Sequence, residues 1–225
     1  MSTFIYLIRH GLGETNQDQN NRDANEKIVQ RLNTWAELVS LGKKQARSDG
    51  GYLKRNRVVF DAVFSSPTIR TQQTARYSLE EMVEPEHFDD VFGGITTSSA
   101  LLEMSSGEYE GKKKHEINYD ALMLLLKEHP DAYWTLRPPG GESPEDVYAR
   151  VRSFIEEKVL PVPYRTVGIY THRGPIIWLM AGLFHMSPHE VFSMNMFPGT
   201  ISRIEYENSK WQRCEPEIFV PEQHE

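Results

Sequence analysis

Apolar positions along this chain follow two periods, and the elements they predict alternate. Residues 3–8, Thr-Phe-Ile-Tyr-Leu-Ile, are β-branched and aromatic and predict a central strand. Residues 12–27 are polar, with only Leu12 and Ala24 as anchors, and predict a loop. Leu38, Leu41, Ala46 and Leu53 predict a helix from about Gly42 onward, weakened by Gly50-Gly51. Val58 to Phe64 reads as a second strand running into Ser65-Ser66-Pro67, a break that suits a helix start, and 68–82 as the helix that follows. Phe92 to Leu102 contains two glycines and accommodates a short strand ending near Leu102.

Farther on, Ile117, Ala121, Leu124 and Leu125 place a helix over 113–128, closed by His129-Pro130. Pro138-Pro139-Gly140-Gly141 predicts a rigid turn. Ser143-Pro144-Glu145-Asp146 then starts a helix, with Ser143 as N-cap, proline at the first position and acids facing the dipole. Thr166 to Tyr170 predicts a strand, and Pro175 opens a helix apolar on all sides and therefore buried. Residues 200–206 and 211–214 predict a final strand pair about Asn208-Ser209. With no internal repeat or linker, strands alternating with helices predict one doubly wound α/β domain over 1–225.

Composition narrows the function. A net charge of −7 argues against general nucleic-acid binding, which favours basic faces. A single cysteine, Cys214, allows no intrachain disulfide and no thiolate cluster from this chain alone, which suits a reducing compartment. The first apolar run is interrupted at Arg9, so no signal peptide is expected, and no stretch approaches the ~18 apolar residues of a membrane span. A cytoplasmic location is expected.

The candidate chemistry sits at strand ends. Arg9-His10-Gly11 and Thr171-His172-Arg173-Gly174 each end a strand with a histidine beside an arginine. A third strand ends in Ser65-Ser66-Pro67, with Arg70 one turn into the next helix. Ligand sites of open α/β sheets lie at the carboxyl edge of the strands. If these strands are neighbours in a parallel sheet, two imidazoles, at least two guanidiniums and several helix N-termini converge there. Guanidinium forks match phosphate oxygens, and helix N-termini offer free N–H groups. Neutral imidazole attacking phosphorus gives a phosphohistidine and splits a transfer into two easier steps. His10 is the candidate nucleophile, with the second imidazole and the cations stabilising the equatorial oxygens. Glu103, after the apolar pair Leu101-Leu102, is the candidate acid for the leaving oxygen. At a single strand end the alternative is that Arg9 and His10 only solvate it. His10, His172 and Glu103 also have the composition of a His₂Glu zinc set, which Arg9 and Arg70 would oppose.

Taken in order, Arg9-His10-Gly11, Ser65-Ser66-Pro67 with Arg70, Glu103 leading to Gly107 and Glu110-Gly111, Gly140-Gly141-Glu142-Ser143, and Thr171-His172-Arg173-Gly174 resemble the histidine phosphatase superfamily, the family of cofactor-dependent phosphoglycerate mutases and related acid phosphatases. The resemblance covers nearly the whole chain. It implies a three-layer α/β/α sandwich with a mostly parallel sheet. It implies His10 as nucleophile, Glu103 as proton donor, and Arg9, Arg70 and His172 as phosphate ligands, with no metal and no cofactor. Gly11, Asn16 and Arg173 join the candidate substrate-binding residues.

Two departures from the family pattern stand out. Leu12-Gly13 intervene before Glu14-Thr15, so Asn16 and Asn20 are both candidates for the family's phosphate-contacting asparagine. Arg173 replaces a residue that is commonly small or uncharged; it either adds a contact for a second anionic group or turns outward to pair with a surface acid. Ser106 to Gly111 resembles the phosphatase branch, and the segment from Gly111 to Gly140 is short for a mutase. The expected activity is therefore phosphomonoester hydrolysis through a phosphohistidine. Mutase-type phosphotransfer, or a catalytically weak relative that binds a phospho-ligand or a protein, are the alternatives. The expected partner is a small phosphorylated substrate or a phosphoprotein, with no nucleic acid and no membrane; a homodimer is left open. Glu142 is a secondary site candidate, Lys112-Lys113-Lys114-His115 reads as a solvated helix face, and Trp178 as core or rim.

Overall fold

The computed structural model describes residues 2–21, 27–29, 35–87, 92–117 and 130–224. Its sheet contains β1 (Thr3–Arg9), β2 (Ala62–Ser65), β3 (Ile95–Thr97), β4 (Thr166–Thr171), β5 (Ile201–Glu207) and β6 (Lys210–Phe219), in the order β3-β2-β4-β1-β5-β6. The pairings β3–β2, β2–β4 and β4–β1 are parallel; β1–β5 and β5–β6 are antiparallel. Each parallel strand is reached by a crossover through a helical layer, which keeps both faces covered.

Alternation along the strands builds two cores. Ile5, Leu7, Phe64, Val167, Ile169 and Ile204 face one way. They pack on α4 (Pro144–Phe154) and α5 (Arg173–Phe184) through Val147, Val151, Ile176, Leu179 and Met180. Tyr6, Ile8, Val63, Tyr170 and Ile201 face the other way, against Leu53 of α2 (Ser40–Arg55) and Ala75 and Leu79 of α3 (Ile69–Met82). This is the expected three-layer arrangement, with strand periodicity of two dividing the side chains between the layers. Ile176, Ile177, Leu179 and Met180 of α5 are essentially fully buried, each contributing about 1.5–3 kcal/mol of burial, so packing rather than amphipathicity fixes that helix.

Five expectations are corrected. Residues 14–21 are not loop but a helix, α1 (Glu14–Asn21). It has no apolar face to betray it. Glu14 meets the dipole at its first turn, and neighbouring chain anchors it: the Glu14 N–H donates to Glu37 O at 3.0 Å and the Gln19 side chain accepts from Ile28 N–H at 3.0 Å. Residues 22–26 of that stretch lie outside the described residues. The glycine pair does not interrupt α2, because Gly50 brings it against α3; a Cβ there would lie 2.0 Å from Ser78 O. The second strand starts at Ala62 rather than Val58. The Val58 N–H donates to Leu53 O to close α2, and Asp61 spends its carboxylate on the N–H groups of Arg165 and Thr166 at 2.6 and 2.9 Å. β3 ends at Thr97, and Leu101 lies in a 3-10 turn, Ser99–Leu101. Of the helix expected over 113–128, Lys114–Ile117 forms a 3-10 turn, so the lysine run is no helix face there, and 118–129 lie outside the described residues.

The Leu12-Gly13 departure has a structural role. Gly13 bridges antiparallel to Leu38, and the Leu12 N–H donates to Gln45 Oε1 at 2.8 Å. Backbone packs on backbone here. A Cβ on Gly11 would lie 2.4 Å from Gly42 O, and one on Gly42 would lie 2.1 Å from Leu12 O. Gly42→Ala is therefore expected to lower stability by about 1–3 kcal/mol. Gly51→Ala meets only the flexible Arg55 Nη1, at 3.2 Å, and should raise stability by about 0.5–1 kcal/mol. Urea unfolding of both variants measures this; equal effects would contradict the close approach.

Candidate active site

Parallel register brings the strand ends level. Arg9 of β1 pairs with Thr171 of β4, and Ser65 of β2 pairs with Tyr170. The backbone pairing continues one residue past each strand: His10 N–H donates to Thr171 O at 3.0 Å, and Ser66 N–H to Tyr170 O at 2.9 Å. His10, Ser66 and His172 thus leave the sheet side by side. α5 begins at Arg173, two residues before the expected Pro175, so His172 occupies its N-cap position and Arg173 its first turn. Arg70 enters from the first turn of α3.

Arg9, His10, Asn16, Arg70, Glu103, Met104, Ser106, Arg173, Gly174 and Trp178 line a cavity of about 260 Å³. Arg9, His10, Asn16, Arg70, Glu103 and Arg173 of the expected site residues line it; His172 and Gly11, expected as substrate contacts, do not, His172 accepting from Arg70 Nη2 and Gly11 O holding His10 Nδ1. Of the two asparagine candidates, Asn16 lines the cavity. Arg173 lines it too rather than pairing with a surface acid, donating from Nη2 to Met194 O at 3.3 Å.

His10 is buried, with 3% of its surface exposed. Its Nδ1 lies 2.7 Å from Gly11 O, an acceptor, so Nδ1 carries the proton. Its Nε2 accepts from Arg70 Nε at 3.3 Å, so the lone pair of that nitrogen faces the cations. The His172 ring is edge-on to the His10 ring, with centroids 5.1 Å apart. Its Nδ1 accepts from Arg70 Nη2 at 3.2 Å, which leaves Nε2–H to donate to Ser66 Oγ at 3.0 Å. Burial, then Arg70 and Arg9, hold the His10 pKa well below 6.5. Burial and the neighbouring His10 and arginines do the same for His172. Both imidazoles are neutral in the free site. Arg70 donates to both from between them, where a dication shared by the two rings would have to sit. Desolvation lowers Arg9 to about 10, with repulsion from Arg173 and Arg70 adding to it against the pull of Glu103.

Glu103 follows the turn that carries buried Leu101. Its Oε1 accepts from Met104 N–H at 2.9 Å and from Gly174 N–H, at the start of α5, at 3.0 Å. The segment is fixed from behind. Thr171 Oγ1 donates to Leu101 O, and Arg150 donates to Ala100 O and Glu103 O. Glu142 is not a lining residue. It pairs with Arg150 at 2.7 Å and accepts from Ser105 N–H at 2.9 Å. Gly107, at φ +53, docks directly on Gly140-Gly141, so two of the sequence motifs are halves of one brace. Sequence reasoning did not select Met104, Ser106, Gly174 or Arg150. The Gly174 position was readable as a helix N-terminus beside a histidine, and Ser106 opens the Ser106–Gly111 stretch; Met104 and Arg150 carry no motif.

A neutral, hydrogen-bonded imidazole facing guanidiniums, with a carboxyl group across a small cavity, can attack and protonate the two sides of a phosphoester. Residues 5–215 match the family described as histidine phosphatase superfamily (branch 1). A 2,3-bisphosphoglycerate-dependent phosphoglycerate mutase of Nitrobacter winogradskyi is 27% identical over 202 residues, 87% of each chain. The Methylorubrum extorquens protein of the same name is 32% identical over 165 residues, 72% of this chain and 68% of its own. The solved structure of mycobacterial glucosyl-3-phosphoglycerate phosphatase superposes with a TM-score of 0.74 at 23% identity, covering 96% of this chain and 98% of that one.

Proposed function

The chain belongs to the histidine phosphatase superfamily, and from that premise we propose that it is a phosphomonoester hydrolase working through a phosphohistidine on His10. The observation that carries this is the His10 tautomer: Nδ1–H is held by Gly11 O, and the Nε2 lone pair faces Arg70 inside the cavity. Nε2 attacks phosphorus. Arg9 and Arg70, with His172 behind Arg70, stabilise the charge spreading over the equatorial oxygens. Glu103 gives its proton to the leaving alcohol and then takes one from the water that attacks the phosphoenzyme. No metal and no cofactor is assigned a step. The cavity is below the range of about 300–1,000 Å³ usual for drug-sized ligands, which favours a small phosphorylated metabolite over a phosphoprotein or nucleic acid. No helix among the described residues is long and apolar enough to cross a membrane, and a cytoplasmic location is part of the same proposal.

Mutase-type phosphotransfer is the second reading, favoured by the names of the relatives from Nitrobacter and Methylorubrum. Turnover of p-nitrophenyl phosphate, and of 3-phosphoglycerate with 2,3-bisphosphoglycerate present, separates the two. Release of inorganic phosphate supports the hydrolase; conversion to 2-phosphoglycerate without release supports the mutase. The same assay has a pH signature. His10 must be neutral to attack, and its pKa is held well below 6.5. Its kcat/KM, corrected for ionisation of the substrate, should therefore hold as pH falls through 6.5. An acidic limb centred at pH 6.5 or above would contradict a desolvated His10 between arginines.

A further inference from the structure

Two residues behind Arg9 hold left-handed backbone, a conformation that favours glycine: Met196 at φ +46 and Glu217 at φ +52. They are bonded to one another. Glu217 Oε1 accepts the Met196 N–H at 3.0 Å, and the Met196 carbonyl accepts from Arg9 Nη1. Ser202 closes a ring behind them. Its Oγ accepts the Glu217 N–H at 3.2 Å and donates to Met196 Sδ at 3.7 Å. Backbone of this kind persists where its surroundings over-determine it, and it concentrates at functional sites.

A bulge in β6 makes the contact. Ile201 of β5 pairs with Phe219 and Arg203 with Glu215, so Ser202 alone faces Pro216, Glu217 and Ile218. β6 is an edge strand, where bulges and proline are common. A bulge that only blunted the edge would leave its tip in water. This one turns a carboxylate onto a backbone amide. Cations are at hand on the same strand pair, yet Arg203 and Arg213 both go to Glu215. The Glu217 carboxylate is kept for Met196.

Arg9 depends on that anchor. Among the described residues the Met196 carbonyl is the one hydrogen-bond acceptor of its guanidinium, and its Nε is buried without a partner. Glu103, which lines the same cavity, attracts Arg9 by charge, while Arg173 and Arg70 repel it. Forces between charges set little direction; a hydrogen bond to a fixed carbonyl does. Downstream of Met196 the chain is already tied to β1. Gly199 N–H donates to His10 O at 3.1 Å, and Arg9 N–H donates to Thr200 O at 3.0 Å. At Met196 itself the tie is Glu217.

We propose that Glu217 is a positioning residue: from the β6 bulge it fixes Met196, whose carbonyl aims Arg9 at the phosphoryl group. This rests on the phosphohistidine reading for what Arg9 binds and goes beyond it in what holds Arg9.

The test is calorimetric binding of inorganic phosphate, run beside turnover of p-nitrophenyl phosphate. Glu217→Gly and Glu217→Asp both suit left-handed backbone, and neither reaches the Met196 N–H. Each should weaken phosphate binding and lower kcat/KM by about tenfold. Glu217→Gln keeps an acceptor oxygen at the same reach and should stay within about threefold of wild type. In an Arg9→Met background, Glu217→Asp should change phosphate affinity by less than about twofold, because the residue it acts through is gone. A merely structural Glu217 would lower affinity by the same factor with and without Arg9, and that additivity would overturn the proposal. Phosphate affinity unmoved by both Glu217→Gly and Glu217→Asp would overturn it, as would a loss in Glu217→Gln equal to theirs. Loss of the folded state in Glu217→Asp would mark a residue needed for the fold and overturn it too. Failure of the phosphohistidine reading looks different: wild type would release no phosphate from the ester, while phosphate binding still followed Glu217 through Arg9.

Discussion

Replacing His10 by alanine is expected to lower kcat on phosphomonoesters by roughly 10⁴-fold or more. Removing a buried imidazole takes away the Nε2 lone pair that lines the cavity beside Arg70. In the proposed mechanism the guanidiniums of Arg9 and Arg70 remain to hold phosphate, so vanadate or inorganic phosphate should continue to bind the variant. That retention separates loss of the nucleophile from loss of the fold. Comparable turnover by wild type and His10→Ala would mean that another group, or water alone, attacks phosphorus. The contrast is large because the imidazole is already prepared for attack. Gly11 O fixes the tautomer at 2.7 Å, and burial beside two arginines disfavours the protonated ring.

Glu103→Gln should have the second largest effect, and one that depends on the substrate. The glutamine oxygen can still accept from Met104 N–H and Gly174 N–H, so the segment should keep its place. What is lost is the proton for the leaving group. An alkyl phosphate, whose alkoxide leaves poorly, should lose roughly 10²–10⁴-fold in kcat. p-Nitrophenyl phosphate, whose phenolate leaves unaided, should lose less than about tenfold in the step that forms the phosphoenzyme. Burst kinetics separate that step from hydrolysis of the phosphoenzyme, where Glu103 acts as base on either substrate. Equal losses in the first step on both esters would remove the general-acid role.

Much of this site was legible in the sequence because strand ends announce themselves. An apolar run followed by Arg9-His10-Gly11, and another followed by Thr171-His172-Arg173, needed only a parallel sheet to bring them together, and β1 and β4 are direct neighbours in that sheet. Ser143 was readable as an N-cap from its own chemistry, and it forms a full capping box with Asp146. What was not legible depends on contacts between distant segments. α1 is polar throughout, and its helix is held by hydrogen bonds of the Gln19 side chain with Ile28 N–H and of the Glu14 N–H with Glu37 O that no periodicity encodes. The glycines of α2 look like helix breakers until the neighbouring backbones are present; then Gly42 and Gly50 are close-approach points. Asp49 is fully buried, and its carboxyl pKa is pushed well above 3.8 by burial, yet nothing in its neighbourhood in sequence distinguishes it from a solvated charge. Glu142 had the opposite fate: placed near the site by its motif, it braces the Glu103 segment through Arg150 rather than touching the cavity.

The same distinction explains Arg173. Its residue type and its position after His172 were visible, but its direction was not. The direction is set by Met194 O, twenty-one positions away, and by the early start of α5. Once that tether is known, the arginine belongs to the cavity.

The central claim is that His10 accepts the phosphoryl group. The most direct measurement is to mix wild type with labelled phosphomonoester, quench into alkali during the first turnover, and map the label by peptide sequencing. Alkali preserves a phosphorus–nitrogen bond on imidazole, so the account predicts stoichiometric, acid-labile label on the peptide containing His10, and none in His10→Ala. Label recovered on a serine or on His172, or turnover that proceeds with no labelled protein at any time, would contradict it.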